Sequence, residues 1–381
     1  MIWRDARLLL DTLRLGGELD LAAARHAWSR ANGRAVAAAI AWEGGALWLL
    51  RRLAESGLEA AAPAPLVAAL RRTAIGEKAR GMLVDAETEE MVRYLSARGI
   101  PHVLIKGTAR RAAAGCYPYA DARATRDVDV LLPARCVREV WNGLRNDGWP
   151  LATDPGATPA EHCHPPPLLG PQRVGVELHE STGHGFTPEE GWRRANDGAV
   201  ELEWHQLLVR VPPATELLWH GLTHALHAGP AGFRLRYFLD GASILASRAP
   251  IDWDRIAARL AVGEGVDAAS ARAWLRTAAI LAGCDLPASA RELSASFDIV
   301  RTLAWRLAVL ARGADEGFAA RLLEEGTRVE LGLEIAPVVE GTGPFKQTRR
   351  FVAGRVARVA YRTWRAATRN RATLRSGWSD R

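Results

Sequence analysis

Asp127-Val128-Asp129-Val130-Leu131-Leu132 alternates acidic with apolar residues and then stays apolar. On a β-strand, residues i and i+2 share a face. Asp127 and Asp129 therefore leave one side of the strand, and Val128 and Val130 enter a core on the other. Two carboxylates this close raise each other's pKa. A hard divalent cation, which prefers oxygen ligands, relieves that repulsion. A second alternating run, Val174-Gly175-Val176-Glu177-Leu178-His179, sends Val174, Val176 and Leu178 one way and Gly175, Glu177 and His179 the other. If the two strands lie side by side, Asp127, Asp129 and Glu177 converge on one edge. Three carboxylates can hold two Mg²⁺ about 4 Å apart, with Mn²⁺ as a substitute, the arrangement used for in-line displacement at phosphorus.

Phosphate-binding candidates lie upstream. Leu104-Ile105-Lys106-Gly107-Thr108 puts a glycine directly after a short apolar run and before an expected helix. Such a turn exposes backbone N–H groups to phosphate oxygens. Lys106 adds a point charge, Arg123 and Arg126 flank the acidic run, and His179 shares a face with Glu177. Lys106, Gly107, Thr108, Arg123, Arg126 and His179 form the expected nucleotide-binding set.

These residues need a sheet to hold them. The expected strands are His102–Ile105, Asp127–Leu132, Gly148–Thr153 and Val174–His179, with helices over Thr108–Gly115 and Ala134–Asn146 between them. Strands alternating with helices indicate an α/β unit. Residues 1–82 read as helical, interrupted by Ala62–Pro65, and a helix over Val84–Arg98 ends at Gly99. Pro150–Arg173 has seven prolines in 24 positions and reads as a long loop. Beyond Pro213 the expected helices are Thr215–His227, Leu235–Ser247, Trp253–Val262, Ala268–Ala282, Val300–Arg312 and the tail. The expected division is a helical region at 1–82, a core at 83–213, a helical domain at 214–345 and a basic amphipathic tail at 346–381. The fold class is α+β with an α/β core: a small mixed sheet flanked by helices on both sides in sequence.

A strand, glycine turn and helix followed by a strand with Asp-x-Asp and a later acidic strand resembles the DNA-polymerase-β-like nucleotidyltransferase superfamily. Lys106-Gly107, Tyr117-Pro118, Arg123, Asp127-Val128-Asp129-Val130-Leu131 and Glu177-Leu178-His179 are similar to its bacterial group of uncharacterised nucleotidyltransferases. So are two later segments, Leu222-Thr223-His224-Ala225-Leu226-His227 and Arg234-Leu235-Arg236-Tyr237-Phe238-Leu239-Asp240. The resemblance spans about 100–245. It departs from the superfamily pattern in having Gly107-Thr108 after the first strand and 20 residues from Gly107 to Asp127. It implies transfer of an NMP from an NTP, ATP by default, to an unidentified acceptor (a small molecule, protein or RNA) with release of pyrophosphate. Asp127, Asp129 and Glu177 would be the catalytic and metal-binding residues. The alternatives are a toxin-like transferase acting on tRNA or protein, and a non-catalytic nucleotide-binding regulator or scaffold.

The remaining motifs have plainer readings. His220, His224 and His227 share a helical face, a spacing that suits zinc but lacks a fourth ligand. Packing against the core is the expected role, as an ion pair is for Asp240. His162-Cys163-His164 offers poor chelate geometry. The four cysteines (Cys116, Cys136, Cys163, Cys284) show no paired spacing, which disfavours a disulfide framework. Arg4, Asp5, Arg7, Asp11 and Arg14 interrupt the first residues, so no secretory leader is read and a cytoplasmic location is expected. The net charge is +7, but Phe345–Arg381 alone has 11 basic residues against one acid. The body is near neutral, so only 346–381 could support nucleic-acid or membrane-surface contact; packing of its apolar stripe on the body, with a solvated basic face, is the first reading and those two contacts are the alternatives.

Overall fold

The computed structural model describes residues 2–113, 119–152, 164–182, 187–227, 234–247 and 249–290. It opens with four helices: α1 (Ile2–Leu13), α2 (Leu21–Trp28), α3 (Gly33–Glu43) and α4 (Ala46–Glu55). Helix α5 (Ala64–Ala97) has 34 residues, about 50 Å of helix at ~1.5 Å per residue. It runs unbroken through positions 82 and 83, where the sequence division was expected. Leu66, Leu70, Ala74, Val84, Met91 and Leu95 form its buried stripe.

The site-bearing segment follows: β1 (Val103–Leu104), α6 (Lys106–Ala112), a 3-10 turn at Ala120–Ala122, β2 (Asp127–Leu131), α7 (Ala134–Asn146), β3 (Leu168–Leu169) and β4 (Gly175–His179). The sheet order is β1-β2-β4-β3. Strands β2 and β4 are parallel, and the outer two are antiparallel to their neighbours. A parallel pair needs a crossover, which contains α7. Its Val137, Val140 and Leu144 are buried, spaced three and four apart as a helix on a sheet requires.

Then come α8 (Pro188–Asn196), a hairpin of β5 (Val200–Trp204) and β6 (Leu207–Val211), and the helices α9 (Ala214–His227), α10 (Leu235–Ala246), α11 (Trp253–Val262) and α12 (Ala268–Ala282). This is the expected α+β arrangement. No helix among the described residues is long and apolar enough to cross a membrane.

Three expectations are corrected. Of the expected strand Gly148–Thr153, the described residues 148–152 form no strand: Leu151 makes a single bridge to Leu168, and the edge beside β4 is β3. The helix after Lys106 begins two residues earlier than expected and ends at Ala112. Helix α8 and the β5–β6 hairpin were not expected. The expected helix Val300–Arg312 and the basic tail lie outside the described residues.

One continuous apolar core runs from Ala6 to Ala290. Val128, Val130, Val176 and Leu178 enter it from one face of the sheet, each at most 1% exposed. On the opposite face, Val103, Ile105, Leu131 and Ala195 form a small separate cluster against Trp192. The acidic residues share that face. Front and back of the chain are also joined directly. The Glu43 carboxylate accepts the Leu235 N–H at 2.7 Å and so caps α10, and Leu15 N–H donates to Leu281 O at 2.8 Å.

Candidate active site

Strand register builds the centre of the site. Asp129 pairs directly with Glu177, and Leu131 with His179, across β2 and β4. Alternation then projects Asp127, Asp129, Glu177 and His179 from one face. His179 Nε2 lies 2.9 Å from Asp129 Oδ1 and 3.2 Å from Glu177 Oε2. The ligand atoms of Asp129, Glu177 and His179 all lie within 4.8 Å of one another, the one such group among the described residues. Asp127 is outside that group. His164 Nε2 is 3.7 Å from Glu177 Oε2, and its ring meets that of His179 edge-on at 4.9 Å.

Lys106 closes the cluster. Its Nζ is 2.7 Å from Asp129 Oδ1 and 3.3 Å from Glu177 Oε2. The residue sits at φ 50°, in the left-handed region, at the junction of β1 and α6. A non-glycine residue there costs about 1–2 kcal/mol, which its side-chain contacts offset.

The next two residues brace the strand. A Cβ on Gly107 would stand 2.8 Å from Thr125 Cγ2, so only glycine lets α6 pass this close. Thr108 is buried, and its hydroxyl accepts the Asp129 N–H at 3.2 Å. The structure therefore puts Gly107 and Thr108 behind β2. Arg126 is exposed, and its charge acts on Glu77 of α5.

Arg123 is held from the helical back. Its Nε is 2.8 Å from Asp240 Oδ1, and Arg110 Nε is 3.7 Å from Asp240 Oδ2. Asp240 is 1% exposed. Gly221 of α9 makes room for this pairing, since a Cβ there would meet an Arg110 Nη at 2.7 Å. Helix α9 also turns His220 and His224 toward the site. Their rings lie 6.2 Å apart, and His224 is 5.7 Å from Tyr237. His227 departs from that face to meet Gly265 O at 2.5 Å, so the three-histidine zinc spacing does not become a site.

The electrostatics follow from this packing. Burial would raise the Asp129 carboxyl, but the Lys106 ammonium and His179 overcome it and hold it well below the usual range. Glu177 is lowered in the same way, against its burial, by His179 and Lys106. Asp127 goes the other way. Burial and then the charges of Asp129 and Glu177 push it up to about 6, with Lys106 and Arg123 opposing. The Lys106 ammonium is desolvated, yet Asp129 and Glu177 hold its pKa above the ordinary lysine value.

The arrangement is an in-register acid pair with an imidazole, a strained lysine beside it and a buttressed arginine nearby. The sequence profile of the uncharacterised nucleotidyltransferase family matches residues 29–275. The chain belongs to that family. The match encloses every site residue described above, from Lys106 to Asp240, and includes α3, α4 and α5 but not α1 and α2. No curated protein and no solved structure matches the chain.

Sequence reasoning alone did not bring His164 to this candidate site, nor did it tie Asp240 to Arg123 and Arg110. The signal for Asp240 was present as an acid in the middle of an apolar helical run. His220 and His224 were visible as a shared face, and the structure supplies what that face meets.

Their environment sets a pH dependence. Burial, followed by the Lys106 charge, lowers His224 to about 4 from the ordinary 6.5. Burial, then His224 and Arg110, lowers His220 well below its ordinary value. The folded state therefore binds fewer protons than the unfolded state between about pH 4 and 6.5. Stability from neutral His224 is fully present above pH 6.5 and is lost as pH falls toward 4. From pH 7 to pH 5, His224 alone is expected to cost about 2 kcal/mol. Urea unfolding at the two pH values measures this, and His224→Gln should remove about that much of the difference. An unchanged slope in the variant would rule the assignment out.

Proposed function

We propose that this chain transfers a nucleotidyl group from a nucleoside triphosphate to an acceptor hydroxyl and releases pyrophosphate. The observation that supports the reading best is the in-register pairing of Asp129 with Glu177 and His179 within ligand distance. Two carboxylates and an imidazole on one sheet edge are a donor set for a divalent cation, Mg²⁺ or Mn²⁺. Asp129, Glu177 and His179 would hold it, with Asp127 and His164 beside them. A divalent ion bound there supplies Lewis-acid polarisation of a phosphoryl oxygen.

The protein's own groups do the rest. Lys106 and Arg123 meet the negative charge of the triphosphate, since both lie at the acidic edge and carry fixed positive charge. The acceptor oxygen forms a bond to the α-phosphorus as the bond to the pyrophosphate oxygen breaks. The hydroxyl proton passes to a carboxylate. Asp127, on the same face but apart from the three-ligand group, is the one placed to take it. The apolar cluster of Val103, Ile105, Leu131 and Trp192 lies on the same face of the sheet as the acidic residues.

The test uses the purified chain with α-³²P-labelled NTPs, Mg²⁺ or Mn²⁺, and cell extract as a source of acceptor. Label should appear on a macromolecule or small molecule with wild type and be absent with the Asp127→Ala/Asp129→Ala double variant. Equal labelling by both, or none by wild type with all four NTPs, overturns the reading.

A further inference from the structure

Lys106 shares its ligand atoms with the candidate ion site. Its Nζ is 2.7 Å from Asp129 Oδ1, 3.3 Å from Glu177 Oε2 and 3.3 Å from His179 Nε2. Those three residues are the ones that form the ion-binding group. The ammonium thus touches every donor a divalent ion would use. An ion seated on these three donors takes the position that the ammonium holds, because both need the same atoms, Asp129 Oδ1, Glu177 Oε2 and His179 Nε2, and two cations at one position repel strongly in a desolvated site.

Three further observations bear on this. The Lys106 side chain is 23% exposed while Asp129 is 3% exposed, so the lysine has a route outward and the carboxylate does not. Lys106 holds a left-handed backbone, φ 50°, at the junction of β1 and α6. The chain uses lysine three times among 50 basic residues, at Lys78, Lys106 and Lys346. An ammonium is a compact charge on a flexible stem, whereas a guanidinium would grip the carboxylates as a planar fork. The residue type at 106 is the one that can leave.

We propose that Lys106 is an exchangeable internal cation: a divalent ion entering the Asp129–Glu177–His179 group displaces its ammonium, which is thereby released to the phosphates of the incoming nucleotide. This rests on the transfer reading above and adds an order to it. Without an ion, Lys106 is engaged with the carboxylates. With an ion it is free to bind anions. Ion binding and phosphate binding are then positively coupled through one side chain.

The experiment measures Mn²⁺ binding without nucleotide, by paramagnetic resonance of free Mn²⁺, for wild type, Lys106→Met and Asp129→Asn. Thermal melts run alongside. Removing the competing ammonium should tighten Mn²⁺ binding by Lys106→Met roughly tenfold, and Asp129→Asn should lose it. A residue that merely helps build the site would give the opposite sign at Lys106. A second measurement needs no variant. Brief acetylation of wild type, read by peptide mass spectrometry, should show Lys106 modified faster when Mn²⁺ is present, with exposed Lys78 as reference. Mn²⁺ binding that depends on Asp129 but is unchanged or weakened in folded Lys106→Met overturns the exchange and leaves the transfer reading standing. Should Lys106→Met not fold, acetylation decides: an unchanged Lys106 rate also overturns it. Failure of wild type and both variants to bind Mn²⁺ overturns the exchange and the ion-dependent reading together.

Discussion

Asp129→Asn should lower nucleotidyl transfer about a thousandfold, roughly 4 kcal/mol of barrier, in a chain that stays folded. Asp129 is the hinge of the candidate site's charge balance. It is 2% exposed, it meets Lys106 at 2.7 Å and His179 at 2.9 Å, and its backbone N–H is fixed by Thr108. An asparagine keeps the shape and one acceptor oxygen but not the charge. Lewis-acid stabilisation of a phosphoryl transition state is worth several kcal/mol, and a neutral ligand at the more buried of the two carboxylate positions forfeits much of it. The fold should survive because Glu177 remains 3.3 Å from Lys106, so the ammonium keeps a carboxylate partner. Initial rates of label transfer, with a melting curve as control, measure the effect. Transfer within about tenfold of wild type would remove Asp129 from the reacting centre.

The second large effect is on stability. Asp240→Ala should cost about 3–5 kcal/mol, the usual consequence of deleting one partner from a buried charge group. The Arg110, Arg123 and Asp240 side chains are 6%, 11% and 2% exposed, so neither guanidinium can turn to bulk water without rearrangement. Asp240→Asn should cost less, because its amide oxygen still accepts from one arginine. Urea unfolding of both variants gives the comparison. A loss below about 1 kcal/mol for alanine would mean that the arginines find other acceptors. The position has reach beyond its own contacts. Helix α10 carries Asp240, begins on the Glu43 carboxylate of α3, and steadies Arg123 just ahead of β2. Helices from both ends of the chain thus bear on one loop of the site.

The acidic edge was legible because strand alternation is a two-residue rule. Once Asp127, Asp129, Glu177 and His179 are set among valines and leucines, their shared face follows without knowledge of the rest. Helix α7 was legible for the same kind of reason, through the spacing of Val137, Val140 and Leu144. The β5–β6 hairpin was not. Its turn uses His205 and Gln206, both with positive φ (48° and 65°). Turns of that shape usually announce themselves with Asn-Gly or Asp-Gly, and His-Gln gives no such signal. Helix α8 was readable in principle. Thr187 accepts the Glu190 N–H at 3.2 Å, and Thr-Pro-Glu-Glu is a strong helix-start pattern. Gly107 and Thr108 were read as a phosphate loop from local sequence. Their packing against Thr125 and under β2 depends on the tertiary approach of α6, which no local pattern encodes. The Arg123–Asp240 pair joins positions far apart in sequence and belongs to that same class.

The parallel pairing of β2 with β4 has a bearing on how such a scaffold can diversify. Sliding β4 by a single residue would put Val176 or Leu178 opposite Asp129 and send Glu177 into the apolar interior. An insertion or deletion within 127–131 or 175–179 therefore erases the chemistry even if a sheet still forms. The proline-rich connection between α7 and β3 is constrained at its end, where His164 stands 3.7 Å from Glu177 Oε2, but a length change ahead of His164 leaves the β2–β4 register untouched, since connections absorb such changes more easily than the elements they join. A library built on this scaffold should vary chain length ahead of His164 and restrict the two strands to point substitutions.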